Sequence, residues 1–314
     1  KLENEGISFW IHVDAAYGGY ARSIFLDENF EFMEKESLKE QLDRLKIVSK
    51  SVNWPVEPIY QAYKAISQVD SVTVDPHKLG YVPYPAGGIA FRTKLVRNII
   101  SFFAPYIFEQ KDWERNPQLL GSFIMEGSKP GASAAAVWAA HRVIPLNMLG
   151  YGKLIGESVE GAQLFYNRLA ASEPFTVKTG GFEKELVVRP LAQPDLNIVI
   201  YAFNIVGNRS LEVMNRLNRA IKDKLSYHEG KPILAHEAIV SSTELEVKTN
   251  KALPNYLKAM GIDVSTLDDE SSVFVLRSCI MTPYLTSDYT DEDYIERFMA
   301  ALLHACNAAV AELA

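Results

Sequence analysis

The sequence predicts an α/β protein with a smaller α+β domain behind it, on three observations. Residues 71–74 (SVTV) form a β-branched run of strand character. Helical stretches near residues 31–51 and 59–68 alternate with such runs, the order that builds a mostly parallel sheet. After residue 172 strands and helices mix without that alternation. The 314 residues suffice for about two domains with buried cores. We expect a large domain over residues 1–148, a connecting helix over 149–172 and a small domain over 173–314.

Taken in order, residues 9–13 (FWIHV) read as a fully buried strand, because the run has no polar alternation. Residues 81–88 (YVPYPAGG) are rich in Pro and Gly and form an irregular turn before a strand over 89–92. A second irregular stretch begins at residue 105 and ends in GSKPG at 127–131, ahead of an Ala-rich helix over 132–142. Between residues 151 and 169 apolar side chains recur at Leu154, Ile155, Ala162, Phe165, Tyr166 and Leu169, a helical stripe. Strands over 185–188, 197–205 and 273–276 then mix with helices over 211–227 and 291–312. Thr290 with Asp293 suits the start of the last helix.

Composition excludes several classes. With 32 Lys and Arg against 39 Asp and Glu, the net charge is −7 and no basic stripe exists, so nucleic acid is not an expected partner. The two cysteines, Cys279 and Cys306, lack any ligand spacing and fit a reducing, cytoplasmic setting without structural zinc. Six histidines form no pair at metal-ligand spacing, so no metal is expected. The most apolar stretches, 132–140 and 197–206, fall short of the ~20 residues that span a bilayer, and no membrane partner is expected. The segment GYGKLIG at 150–156 resembles a dinucleotide fingerprint, but its third glycine is one residue late and it follows a helix.

The candidate chemistry joins two strand ends, HVDAAYGG at 12–19 and DPHK at 75–78. Ligands of open α/β sheets bind outside the carboxyl ends of the strands, so Asp14 and Lys78 can face one crevice. Singly, a strand-end Asp is a turn residue and a loop Lys a solvated charge. Together they match what pyridoxal phosphate requires: an amine to form a Schiff base with its aldehyde and a carboxylate beside the pyridine nitrogen. Ala16, two residues past Asp14 and so on the same side of an extended chain, leaves room for a flat ring.

From about residue 10 to residue 92, HVDAAYGG followed by SVTVDPHKLGYVPYPAGGIAFR resembles the pyridoxal-phosphate-dependent group II amino acid decarboxylases, most closely the microbial tyrosine-directed ones. The resemblance implies the fold type I large domain of the aspartate aminotransferase-like class, N-terminally incomplete here. It implies Lys78 as Schiff-base lysine, Asp14 as pyridinium partner, Ala16 as ring contact, and Asp75 and His77 as cofactor contacts. Gly127 and Ser128, at a helix start, are expected at the cofactor phosphate of the neighbouring subunit, in a homodimer with shared active sites. Tyr84, in the turn after the lysine, and Tyr106, in the second irregular stretch, are the candidates for the tyrosine that returns a proton to Cα. Arg277, expected directly after the strand 273–276, and Ser272 with Ser271 before it, are the candidate substrate contacts.

The implied activity is decarboxylation of an aromatic L-amino acid, L-tyrosine to tyramine and carbon dioxide. Glutamate or another amino acid as substrate, a carbon–carbon lyase and a purely structural role are the alternatives. Decarboxylation consumes a proton, so a mildly acidic optimum is expected. The strands and phosphate-binding residues that the family carries upstream of VDAA are not in this sequence. We therefore expect the N-terminal part of the same polypeptide as a partner, whether continuous, split or cleaved.

Overall fold

The structure, a computed structural model, describes residues 5–6, 8–96, 99, 130–179, 181–236, 238–285 and 291–313. The chain divides into two compact units, residues 1–38 with 55–153 and residues 39–54 with 154–314.

In the first unit β1 (His12–Asp14) lies parallel to β2 (Ser71–Val74), with Val13 opposite Val72 and Asp14 opposite Thr73. Helix α2 (Glu57–Ala65) lies between these strands in the chain and supplies the crossover that parallel neighbours need. β3 (Gly88–Phe91) returns antiparallel to β2, placing Val74 opposite Gly88. The link from β2 to β3 carries no helix, so the chain folds straight back, and the described sheet is mixed rather than mostly parallel.

The strand expected over 9–13 differs in two ways. It begins only at His12, and Phe9, Trp10 and Ile11 are 58%, 50% and 45% exposed. Their polar atoms still reach the neighbouring chain: Trp10 Nε1 donates to Ser71 Oγ and Ile11 N to Asp70 Oδ2. No described element covers the three side chains, so the apolar run is edge-bound rather than buried.

Helices α1 (Lys35–Arg44), α3 (Gly131–Val143) and α4 (Tyr151–Ala170) fall where apolar spacing or Ala content placed them. The glycines of the 150–156 segment serve packing. A Cβ on Gly152 would meet the backbone of Ser23 and Asn147 within 2.9 Å, and one on Gly156 would meet Ile47 Cγ2 at 2.2 Å.

The second unit holds an antiparallel sheet in the order β4-β5-β6-β8-β7: β4 (Phe175–Thr179), β5 (Phe182–Pro190), β6 (Ile198–Ile205), β7 (Ser241–Glu246) and β8 (Ser272–Cys279). Period-2 alternation sends Phe274 and Leu276 to one face, with Phe165 of α4, Leu217 of α5 (Leu211–Lys224) and Cys306 of α7 (Tyr294–Leu313). Val273 and Val275 face the other way, onto Leu253 and Leu257 of α6 (Leu253–Ala259).

β6 outruns its pairing with β8, which ends at Tyr201 opposite Leu276. The orphaned backbone groups of Phe203 are met by Asn218 of α5, fully buried, whose Oδ1 accepts from Phe203 N and whose Nδ2 donates to Phe203 O, each at 2.8 Å. Asn215, one turn earlier, does the same for β8, accepting from Phe274 N and donating to Ser272 O. At the start of α7 Asp293 is the cap, its Oδ1 accepting from Ile295 N and Glu296 N. Thr290 lies outside the described residues.

Candidate active site

Parallel pairing brings the carboxyl ends of β1 and β2 to one edge, and the backbone carries the register past both ends. Ala15 N donates to Thr73 O at 3.1 Å and Asp75 N to Ala16 O at 3.0 Å. Asp14 therefore leaves its strand beside the turn that carries Asp75, His77 and Lys78, at the edge where such sheets bind ligands.

The turn is tight. Lys78 N donates to Asp75 O, Tyr81 N to Lys78 O and Val82 N to Pro76 O, at 3.0, 3.2 and 3.1 Å. Tyr81 has φ of 52°, the left-handed region. The chain then returns alongside, where His77 Nδ1 donates to Ala86 O at 2.6 Å. Gly87 lies against the site: a Cβ there would stand 3.5 Å from Asp75 Oδ1.

Asp75 joins the charged groups. Its Oδ2 lies 2.9 Å from Lys78 Nζ and 3.8 Å from His77 Nε2. The Tyr84 ring lies tilted by 32° against His77 with centroids 4.0 Å apart, while the residue is 75% exposed. Asp14 is exposed, with Oδ1 accepting from Ala16 N at 3.1 Å, and Ala16 is half-buried.

This donor set suits pyridoxal phosphate. Lys78 offers a primary amine, Asp14 an exposed carboxylate at the end of the adjoining strand, and Ala16 a side chain small enough for a ring to approach the backbone.

Tyr106, Gly127 and Ser128 lie outside the described residues. The two substrate candidates of the second unit are not together. Strand β8 extends through Arg277, which sits inside it rather than after it and donates to Ser241 Oγ at 3.3 Å. Ser272 opens the same strand and donates to Glu244 Oε2 at 3.3 Å. Five residues of extended chain separate them by ~17 Å, so they cannot line one small subsite.

Sequence reasoning passed over Tyr20, Gly80 and Tyr151. Tyr151 Oη donates to Gly80 O at 2.8 Å, and Tyr20 Oη meets His141 Nε2 at 2.9 Å. The glycine two residues past the lysine was the available signal, since a turn this close admits no side chain.

Residues 161–305 match the family model described as tyrosine decarboxylase, C-terminal. The chain is 44% identical over 303 residues to L-tyrosine decarboxylase of Enterococcus faecium, covering 96% of this chain and 48% of that protein. It is 40% identical over 303 residues to L-tyrosine decarboxylase of Levilactobacillus brevis, covering 96% and 47%. The chain thus spans about half the length of the curated relatives it matches. Among solved structures it resembles mouse CSAD, with TM-score 0.57 at 11% identity over 96% of this chain and 46% of that one. It also resembles Oryza sativa TDC with PLP and tryptamine, with TM-score 0.55 at 13% identity over 96% and 45%. At these identities the likeness is one of fold, the fold type I architecture expected above.

Proposed function

We propose that this chain, which belongs to the tyrosine decarboxylase family and carries its C-terminal domain at residues 161–305, takes part in pyridoxal-phosphate-dependent decarboxylation of an aromatic L-amino acid, L-tyrosine to tyramine and carbon dioxide. The observation that carries this is the convergence of Asp14 and the Asp75–Lys78 turn at the shared carboxyl edge of two parallel strands.

Pyridoxal phosphate, when bound, supplies an aldehyde for amines and a ring that accepts the electron pair left when carbon dioxide departs. Lys78 would hold the cofactor through Nζ, and Asp14 would stand as the carboxylate partner of its pyridine nitrogen. Asp75 holds the lysine amine at 2.9 Å, and His77, tied to Ala86 O, would flank the ring. A tyrosine hydroxyl, of Tyr84 or Tyr106, returns the proton to the substrate Cα and shields the site from water.

In this reading residues 1–148 belong to the large domain, 149–172 connect and 173–314 form the small domain. The protein works as a cytoplasmic homodimer, with Gly127 and Ser128 reaching the neighbouring cofactor phosphate and the N-terminal part of the polypeptide completing the sheet. Arg277 and Ser272 remain candidate substrate contacts, with the ~17 Å between them assigning at most one of the two to the reacting centre. The described residues contain no helix long and apolar enough to cross a membrane, and Cys279 and Cys306 are free thiols, which supports a reducing compartment.

The test is the visible spectrum of the full-length protein with pyridoxal phosphate, before and after borohydride, for wild type and Lys78→Ala. A band that borohydride fixes to the protein in wild type alone supports the anchor; an equal band in the variant sinks it. Carbon dioxide release across a panel of amino acids then sets the substrate. Preference for aspartate or glutamate over tyrosine reverses the assignment.

A further inference from the structure

Two residues beyond Lys78 the chain closes on itself. A Cβ on Gly80 would stand 2.5 Å from Pro76 O, 2.8 Å from Pro76 Cα and 2.7 Å from Tyr20 Cζ. Two of these atoms are backbone, so the approach admits only glycine. The next residue, Tyr81, holds φ at 52°, a conformation that persists in a non-glycine residue only where the surroundings impose it.

Two tyrosines bear on this peptide from outside the turn. Tyr151, 1% exposed, donates its hydroxyl to Gly80 O at 2.8 Å. That carbonyl belongs to the peptide between Gly80 and Tyr81, whose rotation would change ψ of the first and φ of the second together. Tyr20, 5% exposed, brings its ring against Gly80, with its centroid 5.2 Å from that of Tyr151. The Tyr20 hydroxyl is joined to His141. Burial pushes both phenols up and His141 down, so the cluster is uncharged and acts through shape and one hydrogen bond. Tyr20 also belongs to the 3-10 helix Gly19–Phe25, which follows the Asp14 strand closely in the chain.

We propose that Tyr151 and Tyr20 are positioning residues for Lys78: the hydroxyl of the first and the ring of the second grip the turn at Gly80 and set where the lysine amine stands relative to Asp14. The inference rests on Lys78 being the cofactor anchor. The two tyrosines divide the work, so they respond differently to loss of a single oxygen.

The experiment takes the full-length protein as wild type, Tyr151→Phe, Tyr20→Phe, Tyr20→Leu and Tyr201→Phe. Two properties are read: hydrogen exchange of peptides spanning residues 76–82 without cofactor, and the rate of borohydride-fixed attachment of pyridoxal phosphate to Lys78. Tyr201→Phe is the stability control, since it loses a buried hydroxyl contact to Ser278 within the second unit.

Tyr151→Phe is expected to exchange the turn and to attach the cofactor each about tenfold differently from wild type, faster and slower respectively, with kcat falling more than KM rises. Tyr20→Phe should match wild type and Tyr20→Leu should match Tyr151→Phe. Tyr201→Phe should lose thermal stability without either change. If Tyr151→Phe behaves like Tyr201→Phe, or if Tyr20→Phe fails as badly as Tyr20→Leu, the proposal is overturned. Should Tyr151→Phe not fold, Tyr20→Leu and Tyr20→Phe decide by the same two readouts. A wild type that attaches no cofactor at Lys78 overturns the anchor reading instead, while turn exchange unchanged in Tyr151→Phe overturns the grip whatever the cofactor does.

Discussion

Lys78 Nζ lies 2.9 Å from Asp75 Oδ2 across a single turn, and His77 Nε2 reaches the same oxygen at 3.8 Å. Because the Lys78 side chain is 34% exposed, solvent screens the pair, and its worth to folding is at most about 1 kcal/mol. Its value lies in orientation. Asp75→Ala should therefore move the melting temperature by only a few degrees while lowering kcat about tenfold or more. Melting curves and steady-state rates on one preparation check this; a rate loss no larger than the loss of folded protein would refute it.

A pH dependence follows from His141. Burial lowers its pKa in the folded state, so between that lowered value and about 6.5 the unfolded chain binds a proton that the folded one resists. Its contribution to stability is whole above about pH 6.5 and is lost as the pH falls through that window. The melting advantage of wild type over His141→Gln should shrink on going from pH 7.5 to 5.5. An advantage that grows instead would show the imidazole is stabilised in its charged form.

Asn218→Ala removes both side-chain partners of Phe203 and leaves a buried N–H and C=O unmet. Each orphaned group costs about 1–3 kcal/mol, so a loss of about 2–4 kcal/mol is expected in denaturant unfolding. Asn218→Asp, which sets a carboxyl oxygen against Phe203 O and Met214 O in a fully buried site, should lose at least as much. A loss below 1 kcal/mol in the alanine variant would mean that water reaches β6.

At Gly156 two effects oppose. Alanine would gain about 1 kcal/mol of helix propensity in α4, but its Cβ would stand 2.2 Å from Cγ2 of the fully buried Ile47. Overpacking of a core costs about 1–3 kcal/mol, so Gly156→Ala should be net destabilising by about 1–2 kcal/mol. In an Ile47→Ala background, which opens the space, the same glycine-to-alanine step should cost less than it does in wild type. An equal cost in both backgrounds would place the strain elsewhere.

Much of the fold is written locally. The stripe from Leu154 to Leu169 and the Ala-rich run 132–142 announce helices because their periodicity belongs to single segments, and SVTV at 71–74 is a strand in the structure at those bounds. Strand β7 escaped notice because SSTELE is polar and half-exposed at a sheet edge. Strand β4 is short, though its partner β5 follows directly in the chain, and helix α6 is short with packing partners that lie as far away as Ala202. Exposure of Phe9 to Ile11 was likewise illegible, since composition says that a run is apolar but not what covers it.

The site divides the same way. Asp14 and Lys78 could be named from their places at two strand ends, because chemistry restricts which residue types can serve there, whereas Asp75 and His77 were implied by the family resemblance. That Asp75 takes the lysine, that His77 points one nitrogen at Ala86, and that Ser272 and Arg277 stand apart along one strand, β8, needed coordinates. So did the grip on Gly80, where Tyr20 and Tyr151 come from 60 and 71 residues away. Periodicity and residue chemistry act over a few neighbours and survive in the linear order. Which distant atoms meet depends on the path of the folded backbone, and a difference of 1 Å there separates a turn that presents its lysine from one that does not.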